Sequence, residues 1–205
     1  MSMSPSRLVL ASNNAGKLVE LQALFAPLGV ALVAQSSLHI PEAEEPFHTF
    51  VENALAKARH ASLHSGLPAI ADDAGLCVDA FGGLPGVQTA FYCTQFGYPK
   101  SDDNNRMALL EQMVGITQRR AALVSTLVAV RSPEDPEPLI ATGRAVGEIT
   151  TEPLGDKGFG FDPVMWIPSM GKTFAQMPEE EKNALSHRGQ AARAMLELMR
   201  TRWFA

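Results

Sequence analysis

Cysteine is scarce in this sequence: Cys77 and Cys93 are the only two. They have no metal-ligand spacing and no secretory pattern around them, which points to free thiols in a reducing compartment. No apolar run approaches the roughly 18 residues that a membrane span needs, and the first residues lack the basic segment and apolar core of a leader. A cytoplasmic protein without a membrane partner is expected. Positive charge is also in deficit, with 17 Lys and Arg against 22 Asp and Glu and a net charge of -5. That balance argues against nucleic acid held by general phosphate attraction. Any anionic ligand must be met by local positive charge. Nor is there a Ser-His-Asp or Cys-His arrangement that would supply a covalent nucleophile.

What is present is the composition of a folded chain. Of 205 residues 46% are hydrophobic and 19% charged, with no internal repeat and no linker, so one domain over residues 1–205 is expected. Apolar spacing predicts a strand at 7–11, a helix at 17–28 ended by Gly29, and a strand at 30–34: the opening of a parallel unit. Thr49 followed by Glu52 is a capping-box pattern, predicting a helix to about His64 closed by Gly66. On it Phe50, Ala54, Leu55, Ala58 and Ala61 form the apolar side, and Asn53, Lys57, His60 and His64 share the other. Ala69–Ala71 and Leu76–Val78 read as short apolar pieces interrupted by Asp72 and Asp73. A helix at 101–115, a doubly buried strand at 121–130, a return strand at 139–149, a strand at 164–167 and two helices broken near Ser186 complete the reading.

Five stretches carry candidate chemistry. In "ASNNAGK" a strand delivers a small-residue loop to a helix start, where unpaired N–H groups and the helix dipole favour an anion. Asn13 and Asn14 add amides, Gly16 permits close approach and Lys17 places an ammonium there. The loop lacks the Walker spacing, and an ordinary turn with a solvated lysine is the alternative. Asp72 and Asp73 are adjacent carboxylates in an apolar context, whose repulsion a divalent cation, a shared proton or full hydration could offset. Mg²⁺ suits oxygen ligands shared with phosphates. Glu42, Glu44 and Glu45 supply further carboxylates, or merely a solvated acidic loop. "GFGFDP" is either a tight turn or two rings able to stack on a flat base, with Asp162 held by Pro163. "EKNALSHRG" offers Lys182, His187 and Arg188 as donors, or a helix cap followed by surface charge.

In this order, "ASNNAGK", "EEPFHTFVENALAKARHA", "AIADDAGLCVDAFGGLPGV", "GFGFDPVM" and "EEKNALSHRGQA" resemble the successive motifs of the inosine triphosphate pyrophosphatase family, from about residue 7 to about residue 200. The resemblance implies an α/β fold, a two-lobed mixed sheet flanked by helices with a central substrate cleft, assembled as a homodimer. It implies Mg²⁺-dependent hydrolysis of ITP, dITP and XTP to the monophosphate and pyrophosphate. By position, Ser12, Asn13, Asn14, Ala15, Gly16 and Lys17 would bind the triphosphate, and Lys57 would reach it. Glu44 and Asp73 would hold the metal with Glu45 beside them. Asp73 would also accept the proton, and Asp72 and Lys17 would complete the catalytic set. Phe159, Gly160, Phe161, Asp162, Lys182, His187 and Arg188 would form the nucleotide pocket. Two departures stand out: Ala74 replaces a serine common in the family, removing a hydroxyl, and Phe161 stands where tyrosine is common.

Two other readings stay open. One is a pyrophosphatase of related architecture acting on a pyrimidine or modified triphosphate. The other is a nucleotide-binding module without turnover, against which Glu44, Asp72, Asp73 and Lys17 speak.

Overall fold

The computed structural model describes residues 6–204. Seven strands, β1 (Arg7–Leu10), β2 (Ala31–Ala34), β3 (Ala69–Val78), β4 (Arg120–Val130), β5 (Leu139–Ile149), β6 (Met165–Ile167) and β7 (Lys172–Thr173), form one sheet in the order β2-β1-β3-β4-β5-β6-β7. β1 pairs in parallel with β2 and β3, whereas β6 pairs antiparallel with β5 and β7. Among the described residues five α-helices accompany it: α1 (Ala15–Phe25), α2 (Phe50–Ser65), α3 (Asp102–Gln112), α4 (Glu179–Leu185) and α5 (His187–Arg202). The chain is thus the expected α/β protein with a mixed sheet. It divides into two compact units, one of Met1–Asp73, Ser125–Gly143 and Arg188–Ala205, the other of Ala74–Val124 and Arg144–His187.

In the first unit the two-residue period of the strands sorts side chains into two cores. Leu8, Leu10, Ile70, Leu127 and Ala129 pack with Leu21 and Phe25 of α1 and with Ala191, Met195 and Met199 of α5. Their alternates Val9, Ala11, Ala69, Ala71, Val128 and Val130 pack with Ala54, Ala58 and Ala61 of α2. The alanines on α2 let helix and sheet approach closely. The second unit has its own core, in which Leu76, Val78, Leu123 and Ile149 of the sheet meet Leu109 and Met113 of α3, together with Phe161 and Phe174. β5 alternates buried and exposed residues along its whole length, so one face is wet and the other packed.

Several local readings change. α1 begins at Ala15 rather than 17, because Asn14 caps it by accepting from the Lys17 N–H, and it tightens to a 3-10 turn over Ala26–Leu28 where Pro27 cannot donate the next helical bond. Asn53, expected on the polar face of α2, is buried, and its amide is bonded to both the N–H and the C=O of Phe47, so it closes the acidic loop onto the helix. The largest change is β3. Asp72 and Asp73 do not interrupt two apolar pieces; one ten-residue strand runs through both. The sequence reading also passed over the 3-10 segment Gly86–Phe96, which Asn105 of α3 anchors by accepting from Cys93 N–H and donating to Ala90 C=O.

Candidate active site

β3 carries two adjacent carboxylates inside the first unit, 1% and 7% exposed for Asp72 and Asp73. Burial of a charge needs compensation, and the chain supplies it differently for each. Asp72 Oδ1 accepts from the Ser125 hydroxyl at 2.6 Å. Its Oδ2 lies 3.1 Å from Lys17 Nζ, and accepts from Arg188 Nε at 3.1 Å and Nη2 at 3.0 Å. Burial would raise this carboxyl's pKa, but Lys17, Arg188 and the Ser125 hydroxyl outweigh it and hold the group far below the usual carboxylate range. Arg188 is itself pinned, since burial is outweighed by Asp72 and by Glu20, whose carboxylate accepts from Nη1 at 2.5 Å.

Asp73 is treated otherwise. Its Oδ1 accepts from Lys57 Nζ at 2.9 Å, while Oδ2 is buried with no hydrogen-bond partner among the described residues. Burial pushes its pKa up and the nearby Glu45 adds to the rise, against the pull of Lys57 and Lys17. Lys57 also donates to Glu45 at 2.9 Å, and both Lys17 and Lys57 donate to the Asp72 carbonyl at 3.2 Å. The two ammoniums differ as well. Burial dominates at Lys17 and lowers its pKa, whereas at Lys57 burial is overcome by Asp73 and Glu45 and the pKa rises.

The loop before α1 is braced from within. Ser12 Oγ accepts from the Asn14 N–H at 3.1 Å, and Asn14 Oδ1 from the Lys17 N–H at 3.0 Å. The N–H groups of Ala15 and Gly16, in the first turn of α1, have no intrahelical acceptor and remain available to an anion. Asn13 is committed elsewhere: its amide donates to Glu42 at 2.9 Å and receives a bond from buried Gln35 at 3.2 Å.

Lys17, Lys57 and Arg188 thus face Asp72, Asp73, Glu20 and Glu45, one carboxylate in excess. That excess, the orphaned Asp73 Oδ2 and the exposed acidic loop fit a divalent cation with hard oxygen ligands. Among the described residues no three His, Cys, Asp or Glu side chains gather as a ready-made metal group. Mg²⁺ takes one or two carboxylates and completes its shell with phosphate oxygens and water, so Asp73 with Glu44 or Glu45 of the acidic loop could hold it. Glu44 is exposed in the same loop.

The second unit holds the other motif. Phe159 N–H donates to Asp162 Oδ2 at 2.9 Å, and the same oxygen accepts from Lys182 Nζ at 2.8 Å. The Lys182 ammonium sits 5.0 Å from the Phe159 ring centroid. Gly158 has φ +73, and a Cβ on it would fall 2.1 Å from Asp162 Oδ2, so only glycine allows this turn. Phe161 does not offer its ring as expected: it is 4% exposed and belongs to the core, where a phenolic hydroxyl would need a partner. Phe159 keeps part of its surface. His187 is buried at the start of α5, next to Ser186 with its extended backbone.

Lys17, Lys57, Asp72 and Asp73, expected to act together, do meet in the structure. Arg188, expected in the nucleotide pocket, pairs with Asp72 and Glu20. Asp72, expected to be catalytic, has its oxygens filled by Ser125, Lys17 and Arg188 and anchors those cations instead. Glu20, Gln35 and Ser125 were not foreseen. A glutamate on the otherwise apolar side of α1 and a serine in an apolar strand were the available signals.

A model of the Ham1 family matches residues 8–198. The chain is 73% identical over 198 residues to a dITP/XTP pyrophosphatase of Paracidovorax citrulli (strain AAC00-1), covering 97% of this chain and 100% of that protein. It is 75% identical over 197 residues to a dITP/XTP pyrophosphatase of Albidiferax ferrireducens, covering 96% and 99%. Among solved structures, a HAM1 protein from Coxiella burnetii aligns with TM-score 0.87 at 39% identity, over 95% of this chain and 98% of that one. The Ham1 protein of Staphylococcus aureus aligns with TM-score 0.83 at 34% identity, over 95% and 98%.

Proposed function

From the premise that this chain belongs to the Ham1 family, we propose that it hydrolyses the non-canonical purine triphosphates dITP, XTP and ITP to the monophosphate and pyrophosphate. The observation that carries this reading is the divided pair on β3: both oxygens of Asp72 are taken by Ser125, Lys17 and Arg188, whereas Asp73 has one oxygen on Lys57 and the other without a partner among the described residues. Such a pair gives an electrostatic anchor and a proton acceptor side by side.

The triphosphate is read as bound by the N–H groups of Ala15 and Gly16 and by Lys17 and Lys57, with Ser12, Asn13 and Asn14 fixing the loop. Mg²⁺, held by Asp73 with Glu44 and Glu45 of the acidic loop, would supply charge neutralisation at the phosphates. Asp73 Oδ2 orients a water and takes its proton as the water oxygen attacks the α-phosphorus. The α–β bridging P–O bond breaks, and its electron pair leaves with pyrophosphate, whose added charge Lys17 and Lys57 meet. Arg188, Glu20 and Ser125 act at one remove, keeping Asp72 ionised and Lys17 in place.

Phe159, Gly160, Asp162, Lys182 and His187 are read as the base contacts, with Phe161 packing beneath them and Ala74 contributing no hydroxyl. Hypoxanthine and xanthine carry a 6-oxo acceptor where adenine carries an amino donor. Donors in the site would meet adenine donor to donor, at about 1–3 kcal/mol for each group left unpaired. Both units are taken as one domain over residues 1–205. A homodimer and a cytoplasmic setting complete the proposal; no helix among the described residues is long and apolar enough to cross a membrane.

The test is pyrophosphate release from dITP, XTP, ITP, ATP, GTP and dUTP, with Mg²⁺ and with EDTA. Metal-dependent release from the first three, with ATP slower by orders of magnitude, supports the proposal. Equal rates on ATP, or preference for dUTP, would contradict the base assignment.

A further inference from the structure

Gly160 is held at both its backbone N–H and its C=O, one in each of the two peptide groups that flank its Cα, by residues that none of the motifs includes. Its N–H donates to Asp102 Oδ2 at 2.8 Å, and its C=O accepts from Arg106 Nη1 at 2.6 Å. Asp102 and Arg106 are four apart on α3, hence one above the other on a single helix face. That face is anchored: Ser101 caps α3 by accepting from the Asn104 N–H at 3.1 Å, and Arg106 is also paired with Asp103. Both contacts to Gly160 are charge-assisted, the stronger class of hydrogen bond.

The loop has need of an external hold. Gly158 and Gly160 both have positive φ, and a Cβ on Gly160 would meet nothing within 4 Å, so no neighbour packs against Gly160 on that side. The bond from Phe159 N–H to Asp162 fixes one side of the ring's backbone. The clamp on Gly160 fixes the other.

We propose that Asp102 and Arg106 are positioning residues for base recognition: they fix the Gly160 peptide and thereby the direction in which the Phe159 ring meets a flat 6-oxopurine. The proposal rests on the reading that Phe159 is a base contact. It assigns to α3 a part in selecting substrate, without contact to phosphate or water.

The test compares Asp102→Ala, Arg106→Ala, Asp102→Asn and Phe159→Ala, each checked by thermal melting. KM for dITP is measured alongside the inhibition constant of inorganic tripolyphosphate, which has no base. Both alanine variants of the clamp are expected to raise KM for dITP roughly ten-fold, the scale of one charge-assisted hydrogen bond. Tripolyphosphate should bind within about two-fold of the parent, because the phosphate residues are untouched. Asp102→Asn, which keeps an acceptor for the Gly160 N–H, should restore most of the dITP affinity. Unchanged KM in both alanine variants, with Phe159→Ala raising it, overturns the clamp alone. A parallel loss of tripolyphosphate affinity also overturns it, since that would be general damage. Unchanged KM in Phe159→Ala overturns the base-contact reading and the clamp's role with it.

Discussion

Asp72 and Asp73 are neighbours on β3, yet the carboxyl of the first is drawn far below the ordinary aspartate range and that of the second is raised by burial from its ordinary value. The cause lies in what faces each side of the strand. Asp72 meets two cations and a hydroxyl, while Asp73 meets one shared lysine and nearby Glu45. ¹³C carboxyl NMR of the metal-free protein should show Asp73 titrating above the ordinary 3.8 and Asp72 still ionised when Asp73 has taken its proton.

The two shifts have opposite consequences for stability. The contribution of Asp72, whose folded pKa is depressed, is present above its unfolded value near 3.8 and lost as pH falls towards the folded one. Asp73, raised on folding, favours the folded state more as pH falls and costs stability as pH rises through its folded value. Denaturation midpoints measured from pH 7 downward should therefore drop steeply below about pH 4 in the parent. In Asp72→Asn that acid drop should be shallower.

Asp72→Asn removes the charge that Lys17 and Arg188 share. Breaking a buried pair by deleting one partner leaves charge uncompensated, at a cost of about 3 kcal/mol here because Glu20 still meets Arg188. Urea unfolding at pH 7 reads this directly. A loss below about 1 kcal/mol would mean that solvent already serves those cations.

Asp73→Asn should leave the fold intact and melt no lower than the parent, since a buried carboxylate with an unpartnered oxygen is replaced by a neutral amide. Turnover should fall by about 10²-fold or more, the usual share of a proton acceptor. Retention of more than about a tenth of the parent rate removes Asp73 from that role.

Lys17→Ala should raise KM for the triphosphate at least several-fold. Stability changes less, because Asp72 keeps Arg188 and Ser125 as partners and the ionised form of Lys17 already carries a burial cost. An unchanged KM would take the loop before α1 out of the phosphate site.

Much of this was legible in the sequence because it depends on short-range chemistry. The Thr49 cap, the Gly66 and Gly29 stops and the break at Ser186 stand where local residues set them. The continuity of β3 was not legible, because two aspartates read as an interruption until Lys17, Lys57, Ser125 and Arg188 are brought to them. Ser125 lies 53 and Arg188 116 residues further along the chain, beyond any local pattern. The pairing of Arg188 with Asp72 and Glu20 was illegible for the same reason. In isolation "SHRG" looks like a surface donor set, and only packing of α5 against the sheet reveals a buried guanidinium. Phe161 shows the converse: an aromatic next to a glycine looks available for stacking, but the core of its unit claims it.

The most direct measurement is a single turnover of dITP in H₂¹⁸O with Mg²⁺, with the products separated and weighed by mass spectrometry. Attack on the α-phosphorus places one ¹⁸O in the monophosphate and none in the pyrophosphate, and Asp73→Asn should slow appearance of that label without moving it. Label in the pyrophosphate, or orthophosphate as the first product, would contradict the account.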